Sequence, residues 1–257
     1  MAKKLKDNIY FLSVVLSASV AAAIGLMVIK APAVLLIAAP ALILLLVLRL
    51  AKAARKDILE YLNGPARFCK GRGIEIGSGR NRMIRDSILV DMVDDFSSSS
   101  AYKVDYLADA HSLPKIESVS MDYVCASHVL EHLTDPIKAI LEWLRILKPG
   151  GILWLRVPDK RKTFDRPRER TALSHLIQDF ADRVPVDDPT HIDDSNRNTD
   201  PPRQQSHPYI HNHVWIPEDI TELFNYINEK HAELRIMRLE ENTCRNAQDF
   251  WVVVRKS

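Results

Sequence analysis

Apolar and polar positions divide this chain into three stretches. From Tyr10 to Leu50 the apolar run is almost continuous, broken only by Lys30, two prolines and Arg49. A bilayer core takes about 20 apolar residues as helix, so this run is about two spans long. Lys30-Ala31-Pro32 divides it into Tyr10–Ile29 and Ala33–Leu50, which predicts a membrane-anchoring helical hairpin over residues 1–50. Lys3, Lys4 and Lys6 precede it, Arg49, Lys52, Arg55 and Lys56 end and follow it, and the turn carries only Lys30. That bias puts both ends in the cytoplasm. Ser13, Ser17, Ala21 and Gly25 recur every fourth position, a small-residue face on which a second helix can pack. A cleaved signal peptide is the wrong length for this run. A re-entrant hairpin shaped by Pro32 and Pro40 would need protein or water to satisfy its backbone. A basic helical linker follows over 51–66.

Residues 67–257 read as an α/β domain. Short apolar runs predict strands near 73–77, 87–91, 104–108, 121–127 and 151–157, each ending in a polar residue. Asp135-Pro136 signals the start of a helix whose stripe is Ile137, Ile140, Leu141, Leu144 and Leu147. From 158 to 213 the apolar pattern dissolves. One helix, about Thr171–Arg183, interrupts a stretch expected to be an irregular, solvated lid. A helix near Pro217–Lys230 and an antiparallel pair, Leu234–Leu239 and Phe250–Arg255, close the domain. Strand ends along one edge of a mostly parallel sheet are where ligands bind in such folds.

Composition changes this picture little. The net charge of +2 is too small to drive nucleic-acid binding by bulk electrostatics. Three widely spaced cysteines, Cys69, Cys125 and Cys244, supply no disulfide framework. Cys125 falls on a buried strand.

Candidate chemistry sits on the strand ends. Glu75-Ile76-Gly77-Ser78-Gly79 joins a strand to a glycine turn that lets a ligand approach the backbone. A dinucleotide turn wants a third glycine; Arg82 stands there, which argues against NAD. Asp91 ends the next strand, where a carboxylate can accept both hydroxyls of a ribose or simply close a turn.

The ordered series of Ala108-Asp109-Ala110-His111-Ser112-Leu113-Pro114, Ala126-Ser127-His128-Val129-Leu130-Glu131-His132, Val157-Pro158-Asp159-Lys160-Arg161, Thr163-Phe164-Asp165 and His213-Val214-Trp215 resembles class I S-adenosylmethionine-dependent methyltransferases. More narrowly, it is similar to bacterial methyltransferase-like proteins associated with surface polysaccharide synthesis. The resemblance implies a Rossmann-like sheet with an antiparallel C-terminal strand, and S-adenosyl-L-methionine as cofactor. Glu75, Gly77, Ser78 and Gly79 would hold its methionine part and Asp91 its ribose. Asp109 and the Ala110 backbone would meet the adenine, and Ser127 and His128 would lie beneath the sulfonium. One departure stands out: Gly79 to Asp91 is short for a full helix between the first two strands.

An oxygen acceptor also needs a base, and a neutral histidine serves at cytosolic pH. The candidates are His128, His132 and His213, with Asp159 as a base or orienting group. His128-x-x-Glu131-His132 fits a zinc pattern, but no third ligand is evident in the sequence. His191, His207, His211 and His213 lie in the lid at irregular spacing, so no metal is expected. Lys160, Arg161, Lys162, Arg166, Arg168 and Arg170 form a basic cluster. It is either a solvated face or a seat for the phosphate of a lipid-linked acceptor, met by Arg161, Arg166 and Arg168. The expected protein is a bilayer-anchored methyltransferase of the bacterial inner membrane, its catalytic domain cytoplasmic, O-methylating a sugar of a lipid-linked or surface-glycan precursor. The other class of reading is a non-catalytic scaffold that keeps the fold.

Overall fold

A computed structural model describes residues 14, 15, 17–19, 42–51, 64–77, 82–92, 104–201, 210–242 and 247–257. The chain forms two units, Met1–Arg67 and Phe68–Ser257. In the first, the described residues 14, 15, 17–19 and 42–51 are helical. Most of the expected hairpin, including its Lys30-Ala31-Pro32 turn, lies outside the described residues. Among the described residues no helix is long and apolar enough to cross a membrane.

The second unit is built on a seven-stranded sheet of order β3-β2-β1-β4-β5-β7-β6. Its strands are β1 Gly73–Ile76, β2 Ile88–Asp91, β3 Tyr106–Leu107, β4 Met121–Ser127, β5 Leu147–Pro158, β6 Leu234–Glu241 and β7 Asp249–Lys256. β1 to β5 run parallel, and β7 is antiparallel to both β5 and β6. Every strand predicted from the apolar runs is present. β5 starts at Leu147, earlier than the expected 151, because Leu147 already pairs with Met121 ahead of an irregularity in the register.

Alternation on the central strands builds two cores. Val124 and Ala126 of β4 and Phe250, Val252 and Val254 of β7 face a large cluster. Tyr123, Cys125, Trp251 and Val253 face a smaller one with Cys69 and Trp154. This period of two is what a sheet covered on both faces requires. Helix α1, Pro136–Ile146, buries Ile137, Ala139, Ile140, Trp143, Leu144 and Ile146, and Asp135 caps it by accepting from the Lys138 N–H at 2.9 Å. The expected cap is there, and of the expected stripe Ile137, Ile140 and Leu144 are buried, Leu141 is half-buried and Leu147 already belongs to β5. Cys69 and Cys125 are buried free thiols; burial, with Cys69 alongside, pushes the Cys125 thiol well up and keeps it protonated.

The stretch 158–213 departs from expectation. It holds a turn of 3₁₀ helix at Lys160–Lys162, α2 Leu173–Asp182 and α3 Pro189–Arg197. α4, Pro217–Lys230, follows as predicted. α3 had been read as solvated irregular chain, yet Asp188-Pro189 starts it as Asp135-Pro136 starts α1. The Asp188 carboxylate accepts from the Thr190 and His191 N–H groups. Its face carries polar groups in place of an apolar stripe, so periodicity gives no signal there.

Candidate active site

The sheet order reverses direction between β1 and β4. Gly77 follows β1 at this switch point, and Ser127 and His128 end β4 there. Gly77 has φ of +61°, and a Cβ on it would stand 2.5 Å from Val129 Cγ2. Both the left-handed backbone and the contact demand glycine. The two loops therefore pack backbone against side chain, and leave the edge open to a ligand. Alanine at 77 is expected to cost at least about 1–2 kcal/mol from the backbone alone, with further loss from the clash. Urea denaturation measures it, and an unchanged midpoint would overturn this account of the turn.

Glu75 is fully buried. Its carboxylate accepts from Met83 N at 2.8 Å, Ile84 N at 2.6 Å and Ser87 Oγ at 2.6 Å. Glu75 thus holds the 83–87 loop against the end of β1. Ser78 and Gly79 lie outside the described residues. Asp91 ends β2 on the same edge as Gly77, its Oδ1 accepting from Met92 N at 2.8 Å.

Past β3, the chain turns through Asp109 and Ala110. Asp109 Oδ1 accepts from His111 N at 2.8 Å and from His111 Nδ1 at 2.7 Å, while His111 Nε2 accepts from Asp135 N at 3.3 Å. These bonds fix the His111 tautomer. The His111 hydrogen bond holds the Asp109 carboxyl below its ordinary range. The Ala110 carbonyl accepts from Trp143 Nε1 at 2.9 Å, so α1 braces the turn. Beside it lies a cavity of about 260 Å³ lined by Val90, Tyr106, Ala108, Asp109, Leu113 and Ile116 among others. It is mostly apolar and smaller than the ~300–1,000 Å³ typical of whole-ligand sites, which suits one flat ring system. The left-handed glycine cradle and this cavity on one edge fit a nucleoside-bearing cofactor.

His128 adopts φ of +56°, a strained backbone for a histidine and one that clusters at functional sites. Its Nδ1 stands 3.2 Å from Glu131 Oε1 and its Nε2 3.4 Å from Asp249 Oδ2. Burial pushes its pKa down, but the Asp249 and Glu131 carboxylates override this and raise it to about 9. His128 is thus a cation at neutral pH and cannot accept a proton there, which removes it from the candidate bases. Glu131 is fully buried; burial pushes its carboxyl up, and the surrounding histidines, His128 first, hold it below the ordinary range.

His132 differs. Its Nδ1–H donates to the Ile210 carbonyl at 2.7 Å, which leaves Nε2 as the acceptor. Burial lowers its pKa, its side chain is 25% exposed, and Nε2 stands 3.9 Å from Glu131 Oε1. The other two expected bases are not reachable. His213 is fully buried and burial holds it well below its ordinary pKa. Asp159 is also fully buried, capping the 160–162 turn and held by Arg161 Nη2 at 2.5 Å and Lys162 Nζ at 3.6 Å.

The basic cluster is mostly paired within the chain. The Arg168 side chain is 1% exposed and bonds Asp165, Asp194 and the carbonyls of His211 and Asn212. A surface acceptor cannot reach it, which corrects its expected role. Arg161 pairs with Asp159 and Glu241, and Arg170 with Asp219. Arg166 is exposed.

Several participants escaped the sequence. Asp249 comes from the last strand, delivered by the β5–β7 register that sets it opposite Pro158. His211 comes within 4.8 Å of the Glu131 and His132 ligand atoms, a group that leaves out His128. His175 and Asp179 share one face of α2, a spacing visible in the sequence.

Residues 75–155 match the family described as "Methyltransferase domain". The matched stretch runs from Glu75 through most of β5 and includes the Gly77, Asp91, Asp109 and His128 edge. That stretch is about a third of the chain. Residues 75–155 thus carry a methyltransferase domain. The chain is also 43% identical over 53 residues to an uncharacterized 37.1 kDa protein in transposon TN4556 of Streptomyces fradiae, a stretch that is 21% of this chain and only 15% of that protein. Among solved structures it is similar to a SAM-dependent methyltransferase, possible histamine N-methyltransferase, from Thermotoga maritima, with TM-score 0.46 and 16% identity over 77% of this chain and 88% of that one. A SAM-dependent methyltransferase from Mesorhizobium loti gives TM-score 0.45 and 13% identity over 72% and 90%. The [4+2]-cyclase SpnF gives 0.47 and 16% over 80% and 81%.

Proposed function

We propose that this protein is a membrane-anchored methyltransferase that O-methylates a sugar hydroxyl of a lipid-linked or surface-glycan precursor on the cytoplasmic face of a bacterial inner membrane. The observation that carries the reading is His132: a neutral imidazole, its tautomer locked by Ile210, half-buried a few residues past the end of β4. Oxygen acceptors need such a base. The apolar run at 10–50 with its basic flanks supports the anchor, and exposed Arg166 supports an anionic group on the acceptor.

When bound, S-adenosylmethionine supplies a methyl carbon already activated by a sulfonium. Gly77 and Asp91 position the cofactor, with the Ala108–Ile116 cavity taking its adenine. His132 Nε2 would take the proton of the acceptor hydroxyl as that oxygen is methylated. Alignment of the reacting atoms supplies much of the remaining acceleration.

Calorimetry with S-adenosylhomocysteine tests the cofactor half. Asp91→Ala is expected to weaken binding about 10–100-fold, and equal binding by wild type and variant would refute the assignment. Labelled S-adenosylmethionine incubated with membrane lipid extracts tests the acceptor; label confined to protein or water-soluble products would refute the lipid-linked substrate. Removal of residues 1–50 is expected to release the protein from membranes, and a full-length protein that never sediments with them would refute the anchor.

A further inference from the structure

The segment between β5 and α4 brings four metal-competent side chains to one point. His175 and Asp179 lie one turn apart on α2, His191 is on α3, and His213 stacks on Trp215 at 5.6 Å. His175 Nε2 is 3.3 Å, His191 Nε2 3.5 Å and His213 Nε2 3.7 Å from Asp179 Oδ2, and His175 Nε2 is 3.3 Å from His191 Nε2. All four ligand atoms lie within 4.8 Å of one another. A tetrahedral zinc with bonds of ~2.0–2.1 Å sets its ligand atoms about 3.3–3.4 Å apart, close to these spacings.

We propose that His175, Asp179, His191 and His213 bind one divalent transition-metal ion of the zinc type. Asp179, His191 and His213 are buried. Asp179 Oδ2, the oxygen that the three imidazole Nε2 atoms approach, has no hydrogen-bond partner, although buried polar atoms ordinarily have one. A shared proton serves one of these approaches at a time; a cation at the centre serves all four. Three imidazoles exclude calcium and magnesium, which take oxygen ligands, and suit zinc or its neighbours. Asp188 Oδ1, 3.3 Å from His191 Nδ1, sits where an outer carboxylate orients a ligating histidine. Four protein ligands make a closed, structural site. The ion ties α2, α3 and the 213–215 segment together. It sits beside Thr134, whose carbonyl is 3.4 Å from His213 Nε2, at the start of α1.

The test uses the full chain, stripped with chelator and titrated with Co²⁺ alone. The expected result is the visible absorption of tetrahedral cobalt, saturating at one equivalent and displaced by Zn²⁺, with a rise in the thermal midpoint on loading. Asp179→Ala and His213→Ala should lose it, but both sit in the core. The decisive variant is His175→Ala, whose ring is 49% exposed and whose loss leaves the packing intact. It should bind cobalt more than about 100-fold more weakly, while His231→Ala, at the end of α4, keeps wild-type binding. No cobalt band in the wild type overturns the proposal. So does a band unchanged in His175→Ala, which would place the ion elsewhere, for instance at Glu131, His132 and His211.

Discussion

Replacing His132 by glutamine is expected to lower the rate constant for methyl transfer about 10²–10⁴-fold, the range for losing a positioned general base, while S-adenosylhomocysteine affinity stays near wild type. Glutamine keeps a polar group of similar reach but offers no basic nitrogen at neutral pH. The pH profile gives a second readout. The His132 pKa lies below its ordinary value of 6.5, so wild-type activity should be level through neutrality and fall only on acidification. The variant should lose that acid limb. On the alkaline side, His128 loses its proton near about 9, and the charge facing Glu131 and Asp249 disappears. Since that pKa is raised in the folded state, the stabilisation from these pairs is complete below about 6.5, the unfolded value. It is lost as pH rises through about 9. A variant that retains both full activity and the acid limb would remove His132 from the mechanism.

Arg168→Ala is expected to have the largest effect on stability, about 3–5 kcal/mol, because it strands buried partners of a paired charge. The Asp165 carboxylate would lose its guanidinium neighbour while remaining 1% exposed, and the His211 and Asn212 carbonyls would lose donors at 2.8 and 3.2 Å. Arg168→Lys should recover little, since one ammonium cannot reproduce the fork that reaches two carboxylates and two carbonyls. Urea unfolding followed by near-ultraviolet circular dichroism measures the loss. A change below about 1 kcal/mol, the size of a surface pair, would mean that this network does not order the segment between β5 and α4.

These two residues mark where the sequence could and could not be read. Apolar runs ending in polar residues located all seven strands, and Asp135-Pro136 located α1, because sheets and amphipathic helices leave period-two or period-3.6 patterns. Gly77, Asp91 and Asp109 could be found as strand-end residues for the same reason. The region from 158 to 213 is held by a different kind of interior. Arg168 and Asp165 are buried in contact with each other, as are Asp179 and His191, and polar clusters have no hydrophobic period to detect. The same side chains therefore read as a solvated basic patch and a loose histidine lid. Charge states were beyond reach for another reason: whether His128 is a base or a cation depends on Asp249, which reaches it only through the register of β7 on β5.

That register also orders events in time. The recognisable methyltransferase segment ends within β5, but β5 finds its second neighbour in the chain's final strand. About 120 residues separate His128 from Asp249, roughly 6–24 s of synthesis at about 5–20 residues per second. Until then the nascent cleft has an open β5 edge and a His128 facing one carboxylate instead of two. The ligand edge is made first, and its electrostatic pairing is completed only when Asp249 follows.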